Sequence, residues 1–186
     1  MKNLKILILF LFSIGVLAQN KSKINADLKL PDSLNHETEV RIYKGEGTYH
    51  SSLFRMYKDN SGKWNTEYYE HSNNENEFTE LLTEKRTLIS KNDVEFVFLN
   101  LERNYIFELP NIDQIAHKLD NRGIIEKANI TDKKEFKIQV KSKYKNNEFQ
   151  ISNPDNYLKN NPNIDELIYI SEILNTIRYE FGIWKK

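Results

Sequence analysis

The fold is decided by residues 52–71, where SLFRMYK and KWNTEYYEH flank the short polar segment DNSG. Asp59-Asn60-Ser61-Gly62 has the residue types that favour a tight turn, and both flanking runs are rich in the aromatic residues common in strands. The stretch therefore predicts a β-hairpin.

The register of this hairpin follows from the residue pair that closes the turn. If Lys58 pairs with Lys63, the numbers of paired residues sum to 121. Because side chains alternate between the two faces of a strand, this register assigns every residue to a face. The predicted core side carries Leu53, Tyr57, Trp64 and Tyr68, and the other face carries Phe54, Met56, Asn65, Glu67 and Tyr69.

Further strands are predicted on both sides of this hairpin. TEVRIYK at 38–44 alternates apolar and polar residues, which is typical of a half-buried strand. KEFKIQVKSKY at 134–144 alternates apolar residues with lysines, and EFQIS at 148–152 follows the turn KNN. Residues 134–152 therefore predict a second hairpin.

Helices are predicted between and after the hairpins. Apolar residues recur at helical spacing over 77–89. DVEFVFLNLERN at 93–104 fits a helix or a strand, and we favour a helix because the more strand-like YIFEL follows it. Asn111 caps a predicted short helix, and Asn153-Pro154 and Asn161-Pro162 each start another. The last of these is a long amphipathic helix that ends near Gly182.

Strands in hairpins, with helices grouped between and after them, predict an α+β fold. We expect an antiparallel sheet packed against several helices, in a single domain over residues 38–186. Residues 19–37 are polar with scattered leucines, and we expect a loose N-terminal arm there.

The first 18 residues have the pattern of a secretory signal peptide. Lys2 and Lys5 precede an apolar run of about 12 residues, which as a helix spans roughly 18 Å, well short of a hydrocarbon core of about 30 Å. Val16 and Ala18 supply small residues before a cut after Ala18. We therefore expect a periplasmic or extracellular protein with no membrane span after cleavage.

Composition narrows the function further. Loss of Lys2 and Lys5 leaves 25 basic against 27 acidic residues, a net charge of −2, which argues against nucleic-acid binding. The chain has no cysteine, which excludes disulfides, thiol catalysis and cysteine-type zinc sites. No cofactor is predicted.

Histidine is the only candidate metal ligand of interest, and the chain has four. In the register above, His50 faces His71 across the hairpin, and opposed imidazoles can share a metal ion. Both lie near frayed hairpin ends and no third ligand is evident, so solvated side chains are the alternative.

Two further groups of residues are candidates for ligand binding. Tyr68 and Tyr69 belong to a set of aromatic residues that can form a platform for a sugar or peptide, although such residues are more often core. Lys137, Lys141 and Lys143 share the polar face of one strand and can attract an anionic partner. A solvated strand face, or a sheet edge protected by lysines, explains them equally simply.

The sequence contains no motif of a known catalytic class, and no catalytic residue is assigned. We therefore expect a small exported bacterial protein that binds a protein, peptide or glycan of the envelope. A hydrolase whose site is assembled from distant residues is the alternative, as is an immunity or inhibitor protein with one tight partner.

Overall fold

The computed structural model describes residues 24–46, 50–73, 81–119 and 134–184. The predicted signal peptide and residues 19–23 lie outside the described residues. A six-stranded antiparallel sheet with helices against it confirms the predicted α+β class. No helix in the described ranges is long and apolar enough to cross a membrane.

The sheet has the β2–β3 hairpin on one side of β1 and the β5–β6 hairpin on the other, with β4 added next to β3. Its strands lie in the order β4-β3-β2-β1-β5-β6, and every neighbouring pair is antiparallel. The edges are therefore β4 and β6. In chain order the strands are β1 Glu39–Glu46, β2 His50–Lys58, β3 Trp64–Asn73, β4 Leu81–Thr87, β5 Lys134–Lys141 and β6 Asn146–Ser152.

The helices pack against one face of the sheet. They are α1 Val94–Arg103, a 3-10 helix at Ile112–Lys118, α2 Pro154–Asn160 and α3 Asp165–Phe181. The preference for a helix over 93–104 is confirmed, and the carboxylate of Asp93 caps it by accepting from the backbone N–H of Glu95. The last helix ends at Gly182, whose φ of 66° gives the predicted left-handed cap.

One helix prediction is wrong: residues 81–87 form strand β4, and residues 77–80 lie outside the described residues. Backbone pairing with β3 outweighs the helical spacing of the leucines. The interaction continues past the strand, where the backbone N–H of Leu88 donates to the Thr66 carbonyl. As an edge strand, β4 leaves its charged side chains Glu84, Lys85 and Arg86 in solvent.

The predicted register of the first hairpin is also wrong, by one residue. Lys58 pairs with Trp64, so the pair numbers sum to 122. Lys63 belongs to the turn, because its carbonyl accepts from the Asp59 N–H and its own N–H donates to the Asp59 carboxylate. Gly62, with a φ of 81°, completes the longer loop.

A shift of one residue in one strand moves its side chains to the opposite face. Phe54, Met56 and Tyr68 therefore lie in the main core beneath the helices, whereas Leu53 and Tyr69 lie on the opposite face. The predicted core side is wrong for Leu53 and for Tyr57, which shares the face of Leu53. The main core also receives Phe181, Ile183 and Trp184 from the end of the chain.

The second face of the sheet is covered by residues 24–37, called here the covering segment. Its Ile24 is buried with Tyr43, Leu53 and Tyr69, and Leu28 and Leu30 pack against the same cluster. The part of the predicted arm that the structure describes therefore lies against the sheet.

Candidate functional site

A row of buried charges crosses the second face beneath the covering segment. Glu39 and Arg41 have no exposed surface, and Arg55 and Glu67 are nearly as buried. One carboxylate oxygen of Glu39 accepts from Nε of both Arg41 and Arg55, at 2.7 and 2.8 Å. Arg55 also reaches Glu67 at 3.3 Å. The row is thus a chain of alternating charges.

Burial and pairing act in opposite directions on the acids of this row. Burial raises the pKa of Glu39, but the hydrogen bond and charge of Arg55, with the charge of Arg41, outweigh it and leave that pKa below its ordinary value. Burial likewise raises the pKa of Glu67, and hydrogen bonds from Lys85 and Tyr69 bring it below the ordinary value. Both acids are therefore ionised at neutral pH.

Residues of the row also form hydrogen bonds with the covering segment. Glu39 accepts from the backbone N–H groups of Asn35 and His36, and Arg41 donates to the Pro31 carbonyl. Arg55 donates to the side chain of Asn35. These charges thus bind the covering segment much as a receptor binds an extended peptide.

A second polar cluster lies at one end of this face. Nε2 of His71 is 2.8 Å from a carboxylate oxygen of Asp27 in the covering segment, and Nδ1 is 3.4 Å from Oγ of Ser51. Ser51 and His71 are register partners on β2 and β3. An ionised Asp27 can only accept, so Nε2 carries a proton, and in the neutral imidazole Nδ1 is then the nitrogen that can accept from the Ser51 hydroxyl.

A small cavity of about 50 Å³ lies beside Ser51. The residues that line it include Ile24 and Tyr43 of the second face. Ser52 also lines the cavity, but its hydroxyl accepts from Nε1 of Trp184. The cavity therefore places an apolar pocket for a small group next to the hydroxyl that faces the imidazole.

The predicted histidine pair does not form in the observed register. His71 pairs with Ser51, and His50 pairs with Ser72. The side chain of His50 lies outside the described part of the structure. Within the described ranges, no three His, Asp or Glu side chains converge as metal ligands would.

The two candidate tyrosines are both buried, on opposite faces of the sheet. Tyr68 packs in the main core against Trp184. Tyr69 lies under the covering segment, and its hydroxyl donates to Glu67 at 2.7 Å. Neither ring is available at the surface as a platform for a ligand.

The candidate lysines lie on or just after β5, which is an internal strand and not the sheet edge that lysines protect. Lys137 forms an ion pair with Glu148 across the strand pair, and Lys141 points to the Leu34 carbonyl at 3.4 Å. Lys143 lies in the turn, over the ring of Tyr144. Because these lysines already have partners within the chain, they attract an external anion less strongly.

A polar groove of about 490 Å³ lies between Ser33 and Leu34 of the covering segment and the adjoining ends of β5 and β6. It is lined by one positive and one negative side chain, Lys141 and Glu148, and by the amide side chains of Gln139 and Asn146. The groove therefore has little net charge.

The outer surface of the helical layer carries a different feature. Phe96 and Leu99 of α1 are 52% and 47% exposed, and Tyr105 is 50% exposed. The rings of Tyr105 and Tyr169 are 4.8 Å apart. We call Phe96, Leu99, Tyr105 and Tyr169 the apolar strip.

Contacts at both ends of α1 place it beside α3. The N–H of Lys91, before α1, donates to the Glu180 carbonyl near the end of α3, and Tyr105, after α1, contacts Tyr169 near the start of α3. The two helices are therefore antiparallel. Phe96 and Leu99 lie one turn apart on the solvent side of α1, since Val97, Phe98 and Leu101 of that helix are the buried ones.

Sequence reasoning missed both Ser51 and the apolar strip. With a register that is wrong by one residue, His71 is paired with His50, so its contact with Ser51 is lost. Asp27 is 44 positions from His71 along the chain, and no local pattern indicates that contact. The strip was hidden because Phe96 and Leu99 interleave with buried residues in one apolar run.

Comparison with known proteins yields no relative: no family model, curated protein or solved structure matches this chain.

Proposed function

We propose that this chain is an exported binding protein that recognises a protein partner through the apolar strip on its helical layer. The observation that carries the proposal is the exposure of Phe96 and Leu99 on the solvent side of a helix whose opposite side is fully packed. Soluble proteins rarely expose large apolar side chains side by side without a use for them.

The strip has the composition of a contact surface between proteins. Aromatic residues are enriched at such interfaces because they bury a large area with few rotatable bonds. Tyr105 adds to this, because a bulky residue with a φ of 57° is strained and the surrounding structure must hold it in place. Export, which rests on the leader at residues 1–18, sets where the partner is to be sought.

A partner that binds by charge has less support. Lys137 and Lys145 are paired with Glu148 and Glu108, at 2.6 and 2.8 Å. The polar groove beside them mixes both signs of charge. A glycan or anionic ligand that binds at these lysines is therefore a weaker candidate than a protein that binds the apolar strip.

The test is capture from an envelope extract of the producing organism, with the purified chain as bait. We expect a protein that the wild-type chain retains and that Phe96→Ser and Leu99→Ser each lose, with at least a tenfold drop in affinity, since anchor residues of an interface typically contribute about 2 kcal/mol or more.

The matched control is Tyr144→Ser, which removes a more exposed aromatic side chain in the β5–β6 turn, away from the strip. It should leave capture unchanged. Retention of the partner by both strip variants, or its loss by the control alone, overturns the proposal. Light scattering on the purified chain identifies the case in which the partner is a second copy.

A further inference from the structure

We infer that Ser51 is an activated nucleophile that accepts small acyl groups from activated esters, with His71 as its general base and Asp27 as the residue that positions the base. This activity is separate from the binding proposed above, because the cluster lies on the opposite face of the sheet from the apolar strip.

The first support is the order of the three groups. A hydroxyl, an imidazole and a carboxylate lie in a line of hydrogen-bond contacts, at 3.4 Å from Ser51 to His71 and 2.8 Å from His71 to Asp27. A nucleophile beside a base that a third group orients is the arrangement that activates a serine, and the contact to the nucleophile is often long without substrate. The two imidazole nitrogens have exchanged roles relative to the common triad, with Nδ1 facing the serine.

The second support is the environment of the imidazole. The side chain of His71 is 7% exposed, so little water competes for Nδ1. Asp27 is the carboxylate that reaches its other nitrogen, and it fixes the tautomer in which Nδ1 carries a lone pair. That lone pair is what a general base needs in order to take the Ser51 proton.

The cavity beside Ser51 sets the class of substrate. Its volume of about 50 Å³ exceeds the roughly 10–15 Å³ that a cavity needs to hold one water, and the residues that line it include Ile24 and Tyr43. This volume matches a small acyl group such as acetyl.

The reaction balances as follows. Oγ of Ser51 bonds to the ester carbonyl carbon while its proton passes to Nδ1 of His71. The bond from that carbon to the leaving oxygen breaks, and the leaving oxygen takes the proton from Nδ1. Water then attacks the acyl-serine, gives a proton to Nδ1, and releases the carboxylic acid as Oγ of Ser51 regains that proton.

The experiment treats the purified full chain with p-nitrophenyl acetate and follows p-nitrophenol release, with mass spectrometry to locate the acetyl group. We expect acetylation at Ser51 and at least a tenfold preference for acetate over the octanoate ester. Ser51→Ala should lose this acetylation, whereas Ser52→Ala, which removes the neighbouring hydroxyl on the opposite face of the sheet, should keep it.

Two further variants separate catalysis from attachment of the covering segment. His71→Gln keeps an N–H that can donate to Asp27 but removes the base, so acetylation should fall at least a hundredfold, within the range of general-base effects. In Asp27→Asn, the side chain still accepts from Nε2 but carries no charge, so the rate of acetylation should fall at least tenfold. In both variants we expect the covering segment to stay as resistant to protease as in the wild type.

The inference is overturned if Ser51→Ala is acetylated as fast as the wild type, or if His71→Gln keeps the wild-type rate. It is also overturned if every variant with slower acetylation is also cleaved faster within residues 24–37. The cluster would then only hold the covering segment on the sheet. None of these results bears on the apolar strip.

Discussion

The two faces of this sheet are closed by different means. On one face, Phe54, Met56 and Tyr68 pack beneath helices and Trp184. On the other, Glu39, Arg41 and Arg55 are equally buried and hold the covering segment through charged hydrogen bonds, next to a smaller apolar cluster. Burial alone therefore does not tell which face is the core. An apolar face needs only matching shape, whereas a charged face fails when one partner is missing.

The largest expected effects test whether the faces contribute equally to stability. Glu39→Ala leaves Arg41 and Arg55 buried without their shared carboxylate, and loss of one partner from a buried ionic group typically costs about 3–5 kcal/mol. Phe54→Ala on the other face should cost a similar 3–5 kcal/mol through the cavity it leaves. Urea denaturation measures both free energies of unfolding.

A combined variant sharpens this comparison. Replacing Glu39, Arg41 and Arg55 together by Met removes the charges that Glu39→Ala would leave unpaired, and buried ionic groups replaced as a set are often neutral to stability. We expect it to be more stable than Glu39→Ala. An equal or larger loss would mean that the bonds to the covering segment, and not unpaired charge, dominate this face.

Acid should destabilise the charged face in particular. Glu39 and Glu67 have a pKa below the ordinary value of 4.5, so they take up protons more readily in the unfolded chain than in the folded protein. Their contribution is present above that value and is lost as the pH falls through the lower folded pKa.

The free energy of unfolding, measured from pH 6 downwards, should therefore fall with pH, and Glu39→Gln should make the decline shallower. A wild-type stability that does not change below the ordinary pKa of Glu would contradict the assignment.

A smaller loss of stability is expected when a neutral hydrogen bond between the sheet and the covering segment is removed. Tyr43→Phe removes the hydroxyl that donates to the buried Asn25 side chain at 3.0 Å, which should cost about 1 kcal/mol. Limited proteolysis should also cut residues 24–37 sooner. Tyr57→Phe is the control, since its hydroxyl is 3.5 Å from Glu67, and it should change stability by less than about 0.5 kcal/mol.

The smallest expected effect lies at the surface of the helical face. The carboxylate of Glu95 accepts from Nε1 of Trp64 at 2.8 Å and pairs with Lys58 at 2.6 Å, but it is half exposed. Glu95→Ala should cost about 0.5–1 kcal/mol, because exposed ion pairs contribute little. A loss as large as that of Glu39→Ala would remove the distinction between buried and exposed charge on which the comparison rests.

The sequence predicts the two hairpins and the last helix because their signals are local. In the second hairpin, Phe136 and Ile138 alternate with polar residues, and Phe149 and Ile151 do the same on the returning strand. Asp165 and Gly182 mark the two ends of α3 by the charge and the backbone freedom that helix ends favour. Nothing distant is needed to recognise either element.

It is harder to predict which side chains lie on each face and which residues meet in the candidate sites. Both depend on whether the turn of the first hairpin is one residue longer. Whether Lys63 belongs to the strand or to the turn decides whether His71 meets His50 or Ser51. The Asp59 carboxylate makes that choice through its bonds to the Ser61 and Lys63 N–H groups, which composition does not reveal. The contact of Asp27 with His71 depends in turn on where the covering segment lies.

The order of the elements along the chain also bears on how the protein is made. The charged face can close as soon as β3 has been synthesised, because Glu39 bonds to Arg55 only 16 positions later. Phe54, by contrast, waits for Phe181, and Ser52 waits 132 positions for Trp184. A chain that ends before Phe181 would therefore lack the aromatic side chains that cover Phe54, and part of this apolar face would stay exposed.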